Sequence, residues 1–92
     1  MYRPSSIEDL AIQARLNFIL GAEEYDRLFL GFECGPIRDK TAHVFARSEH
    51  NAHQIGSLYS THVAIAVESV IKRPIKSVRV LPKYFSNSLS EN

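Results

Sequence analysis

The apolar positions between Ile7 and Leu20 recur at helical spacing: Ile7, Leu10, Ala11, Ala14 and Phe18 mark one face. Ser5-Ser6-Ile7-Glu8 ahead of them reads as a capping box, a hydroxyl for an early amide and a carboxylate reaching back. Gly21 is a natural stop. Ile12, Leu16, Ile19 and Leu20 add apolar surface outside that face, so the surplus is either core covered on more than one side or a self-association stripe. A second, shorter helix opens on Ala22-Glu23-Glu24, with carboxylates at its positive end. Tyr25, Leu28, Phe29 and Phe32 then step by three and four into a buried stripe.

The period changes after Gly35-Pro36. Arg38-Asp39-Lys40 reads as a turn, and Ala42, Val44 and Ala46 alternate with Thr41, His43 and Phe45 as a half-buried strand does. Ile37 and its neighbours fit a short strand ahead of that turn. From an N-cap at Ser48, Ala52, Ile55, Tyr59, Val63, Ala66 and Val70 share one helix face. They predict one long helix of about twenty-five residues, near 37 Å, ending at Lys72-Arg73-Pro74. Its Tyr59, Val63 and Ala66 are expected to face Leu28, Phe29, Val44 and Val78. Ser77 to Leu81 reads as a closing strand with Val78 and Val80 on one side and Arg79 on the other. Residues 1–83 form one domain in this reading, and the polar stretch 84–92 is a flexible tail or the start of a linker.

Composition narrows the class. Ninety-two residues, 45% hydrophobic and 23% charged, suit one ordinary globular domain with a modest core. No apolar run is long enough for a membrane span, and Glu8 and Asp9 interrupt any signal peptide. Cys34 is the single cysteine, which rules out an internal disulfide and fits a cytoplasmic location. The net charge of +1 is unevenly spread. Residues 1–33 carry three arginines against six carboxylates, net −3, and residues 34–92 carry eight cations against four carboxylates, net +4. Such polarity steers charged partners without dictating a fold.

Chemistry is sparse. His50 and His53 stand three apart, but a structural zinc takes four ligands, and the other histidines and Cys34 have no matching spacing. They read as solvent-facing; no metal or cofactor is expected. No nucleophile elbow or glycine-rich phosphate loop is present, so the chain is read as a non-enzyme. Lys72, Arg73, Lys76, Arg79 and Lys83 cluster near the last strand beside Tyr84 and Phe85, a combination that can bind single-stranded nucleic acid by charge and stacking. Helix ends also carry such cations for dipole reasons alone.

Glu24-Tyr25-Asp26-Arg27-Leu28-Phe29-Leu30-Gly31-Phe32 resembles the second helix of the N-terminal domain of the bacterial replication initiator DnaA. Thr41 to Ala46, the helix through Tyr59 to Val70, and Ser77-Val78-Arg79-Val80 resemble that family's strand, helix and closing strand, so the likeness covers roughly residues 5–82. Leu28 stands where the family has a tryptophan, Arg47-Ser48-Glu49 where it has Pro-Asn, and Gly35-Pro36 falls in its first strand. The helicase loader DciA is similar over residues 43–81. The resemblance implies an α+β, KH-like fold: a two- or three-stranded sheet against three helices, in the order α-α-β-β-α-β. The Gly-x-x-Gly loop of nucleic-acid-binding KH domains is absent.

By function, the resemblance implies a cytoplasmic bacterial interaction domain that binds the replicative helicase, replication regulators and a second copy of itself. The alternative is a KH-like module binding single-stranded DNA through the basic cluster. By position, the family's acidic helicase contact falls at Glu24 and its aromatic contact at His50. A partner surface is therefore expected where the second and third helices begin, around Glu23, Glu24, Glu49, His50 and His53. Self-association is assigned to Ile7, Leu10 and Ala14.

Overall fold

The computed structural model describes residues 1–83; the stretch 84–92, with Tyr84 and Phe85, lies outside them. The chain runs α1 (Ser6–Leu20), α2 (Ala22–Leu28), β1 (Glu33–Arg38), β2 (Thr41–Ala46), α3 (Glu49–Leu58), α4 (Ser60–Ile71) and β3 (Ser77–Pro82). This is an α+β fold with a three-stranded mixed sheet ordered β1-β2-β3.

α1 starts as its sequence predicts. Ser5 Oγ accepts from the Glu8 amide at 3.1 Å, and Glu8 Oε1 accepts from the Ser5 amide at 2.9 Å, a cap worth about 1 kcal/mol. Tyr2 donates its hydroxyl to the same carboxylate at 2.7 Å. These bonds hold Glu8 below its ordinary pKa, the Ser5 amide first and Tyr2 next. The helix ends at Gly21, whose φ of +88° suits glycine, and that residue also opens α2.

The structure decides which of the two apolar sets of α1 is buried. Ile12 and Leu16 are fully buried, while Ile7, Leu10 and Phe18 are 78%, 64% and 83% exposed, with Ala11 and Ala14 also exposed. Both sets have helical spacing, so the choice falls to what α1 packs on: α4, α2 and β1. Two polar contacts fix that seat. Asp9 Oδ1 accepts from the Cys34 amide at 3.0 Å, and Arg15 Nε donates to Ser69 Oγ at 3.3 Å.

The expected third helix is two helices. α3 stops at Leu58; Tyr59, at φ −130° and ψ 16°, leaves helical geometry; α4 restarts at Ser60. Gly56, Ser57, Ser60 and Thr61 crowd this junction with poor helix formers. The break costs little phase, because Tyr59 still donates to the Ile55 carbonyl and accepts from the Val63 amide. The two halves part company in packing: α3 lies on β2, β3 and α2, α4 on α1 and β3.

Asp39 and Lys40, at φ +48° and +69°, form the two-residue turn between β1 and β2. The first strand reaches back to Glu33, with an irregularity between Cys34 and Ile37 where Gly35-Pro36 sits. Gly35 leaves room there for its neighbours across the hairpin. A Cβ on it would stand 2.7 Å from the Phe45 ring. β2 and β3 pair in parallel from Thr41 with Ser77 to Ala46 with Pro82. Helices cover the Ala42, Val44 and Ala46 face; Thr41, His43, Phe45, Ser77 and Arg79 line the other. The core gathers Ile12, Leu16, Leu28, Phe29, Phe32, Val44, Ile55, Val63 and Val67. Tyr59, Val63, Ala66, Leu28, Phe29, Val44 and Val78 all belong to that packed cluster, and Phe29 meets the Tyr25, Phe32 and Tyr59 rings at centroid distances of 5.6, 5.3 and 6.1 Å.

Candidate functional site

The residues assigned to a partner surface begin with Glu24, and its carboxylate is committed within the chain. Arg27 donates Nε to Oε1 at 3.0 Å and its second nitrogen to Oε2 at 2.6 Å, a two-pronged clamp one helical turn away. The Tyr59 hydroxyl also donates to Oε2. Arg27 first, then Tyr59, holds the Glu24 carboxyl down at about 2, and the carboxylate in turn pushes the Tyr59 phenol up. The hydroxyl that a half-buried tyrosine must satisfy thus finds its acceptor on α2 and ties α2 to the α3–α4 junction.

A second tie works at the other end of α2. Asn51, buried in the first turn of α3, donates Nδ2 to the Leu28 carbonyl at 3.2 Å and its amide to the Ser48 cap at 3.1 Å. The start of α2 therefore meets the end of α3, and the end of α2 meets the start of α3. Eight residues separate Asn51 from Tyr59, about 12 Å of helix rise. Glu23 and Glu24 sit at one end of this pair, and Glu49, His50 and His53 at the other. The fold does not place the two helix starts side by side. His50 and His53 are exposed on α3. Among the described residues, no group of three His, Cys, Asp or Glu side chains is close enough to hold a metal ion.

The basic residues are spread rather than clustered. Lys72 caps α4 in left-handed geometry at φ +64°, and the Arg73 guanidinium lies 4.4 Å over the Tyr2 ring. The Lys76 amide donates to the Lys40 carbonyl near the hairpin tip. Arg79 stands beside His43 on the open sheet face. Lys83 reaches Glu33 at 3.4 Å, at the far end of the sheet. Of the five cations only Arg79 lies within β3; Lys72, Arg73 and Lys76 precede the strand and Lys83 follows it.

Ile7, Leu10 and Ala14 do share one open surface. With Phe18 they form the uncovered side of α1, and a shallow groove runs from Ala11, Ala14 and Phe18 to Val70 on α4. Sequence reasoning passed over Asn51 and the Glu24–Tyr59 tie. An amide three residues after a serine cap was the one available signal for Asn51; the tie joins residues 35 apart and had none. Cys34 is half-buried, and burial, followed by the Asp9 charge, pushes its thiol well above the ordinary range, away from a reactive thiolate. No helix among the described residues is long and apolar enough to cross a membrane. No protein-family model matches the chain, and no curated protein is similar to it at a significant level.

Proposed function

We propose that this chain is a protein-interaction domain of bacterial DNA-replication initiation, binding the replicative helicase or a replication regulator, and a second copy of itself. The observation that carries the interaction reading is the outer side of α1. Ile7, Leu10 and Phe18 stand 64–83% exposed along one stripe, and a contiguous apolar surface of this kind is what a protein partner covers. The step from interaction to replication rests on the resemblance of residues 5–82 to the initiator's N-terminal domain. Of the two contact positions carried over from that family, Glu24 is occupied by Arg27 and Tyr59. His50, exposed at the start of α3, is the side chain left to meet a helicase.

The test pairs two variants. His50→Glu should reduce recovery of a bacterial replicative helicase in a pull-down with no change in folding. Leu10→Ser with Phe18→Ser should abolish concentration-dependent association in sedimentation. Failure of the unaltered protein to retain helicase sinks the replication assignment, and a strictly monomeric unaltered protein sinks self-association.

A second reading, single-stranded DNA binding, is favoured by the exposed Lys72, Lys76 and Arg79 around β3. It predicts an affinity for oligothymidine that falls with salt, at about 0.7 per phosphate contact on a double-logarithmic plot.

A further inference from the structure

Among the described residues the sheet closes one of its edges and leaves the other unpaired. At the outer edge of β1, Tyr2 exchanges both backbone bonds with Ile37, at 3.0 and 2.7 Å, and Pro36 has no amide to offer. β3 has β2 on one side, and among the described residues nothing pairs with the other. Strand alternation identifies the unpaired groups. The Ser77 amide turns toward β2, reaching the Lys40 carbonyl at 3.3 Å, so Arg79 and Leu81 also turn inward in the sheet plane. Val78 and Val80 then direct their amides and carbonyls outward.

Beside this edge runs a groove of about 250 Å³ between β3 and α4, floored by Ala64 and Val78 and walled by Ile65, which is 56% exposed. Arg79 stands exposed on the strand, and Lys76 stands exposed just ahead of it. Glu68, the carboxylate of the groove, accepts from the Ile75 amide at 3.0 Å. Two β3 strands meeting edge to edge in the register centred on Arg79 would bring both copies' Arg79 together, which disfavours that pairing of a second copy. An acidic strand meets no such penalty.

We infer that the outer edge of β3 is a strand-addition site for an extended acidic peptide of a partner protein. The peptide pairs with the backbone of Val78 and Val80, sets apolar side chains on Ala64 and Ile65 beside Lys76, and turns its alternate carboxylates toward Arg79 on the open face. Main-chain bonds supply the affinity, and the groove and charges supply the choice of partner. This surface is separate from α1 and from His50, so it stands whether or not the partner is a helicase.

The probe is an end-blocked heptapeptide of alternating glutamate and valine, titrated into the full chain with amide exchange followed by NMR. The amides of Val78 and Val80 should slow on saturation. A peptide N-methylated at one alternate set of residues should lose binding, and one methylated at the other set should keep it, because only alternate amides face the edge. Arg79→Glu, an exposed change, should weaken binding roughly fivefold or more. Equal binding by both methylated peptides, absence of protection at Val78 and Val80, or equal protection of these amides by oligothymidine would each overturn the inference.

Discussion

Ile12 and Leu16, on the inner side of α1, are wholly withdrawn from water, whereas Ile7, Leu10 and Phe18, on its outer side, remain 64–83% exposed. The two sides are alike in chemistry and opposite in use. Burial of the inner pair contributes to folding, at about 1.5–3 kcal/mol for each large side chain. The outer three contribute no such burial within the chain. Stability thus draws on one face of the helix only, association on the other is the proposal, and substitutions should separate the two.

Leu16→Ala should lower unfolding free energy by about 2–5 kcal/mol; Leu10→Ala should stay within about 0.5 kcal/mol. Denaturant midpoints on the two variants decide the matter, and equal losses would erase the distinction between the faces. α4 repeats the contrast on a smaller scale. Val63 is fully buried and Ile65 is 56% exposed, so Val63→Ala should cost about 1–3 kcal/mol and Ile65→Ala close to nothing.

The effect of the Glu24 clamp depends on pH. The folded carboxyl titrates at about 2 against an ordinary 4.5. Its contribution is therefore present above 4.5 and is lost as pH falls toward 2. Glu24→Gln should remove that part of the acid sensitivity while retaining a polar partner for Tyr59. Parallel thermal-midpoint curves for the two proteins through this window would show that the clamp has no thermodynamic weight. Charge reversal, Glu24→Lys, also breaks the tie to Tyr59, so it tests structure and partner binding together.

Much of the local architecture was legible. The capping box at Ser5, the strand Thr41–Ala46 and the buried run from Tyr25 to Phe32 are each set by neighbours in sequence. The inner side of α1 was not, because two interleaved sets of apolar residues satisfy the same helical period and only packing on α4, α2 and β1 chooses between them. The break at Tyr59 was hidden by its own economy: a single residue leaves the helix while the hydrogen bonds on both sides continue. The site fared differently from the elements. Periodicity located the starts of α2 and α3, yet their antiparallel seating, fixed by Asn51 and Tyr59 at opposite ends, is a tertiary fact.

The mixed sheet also orders events in time. Arg38 and Thr41 face each other across a two-residue turn, whereas Thr41 and Ser77 are joined over 36 residues. Hairpins close in microseconds, but parallel pairing must first bear the entropy of a long loop. During synthesis, β1 and β2 can zip together before β3 has left the ribosome. A folding transition state that contains the hairpin and lacks the parallel ladder is the expected outcome, to be checked by folding and unfolding rates of variants. Substitutions at the Arg38–Thr41 turn should slow folding, and those at Val78 should chiefly hasten unfolding.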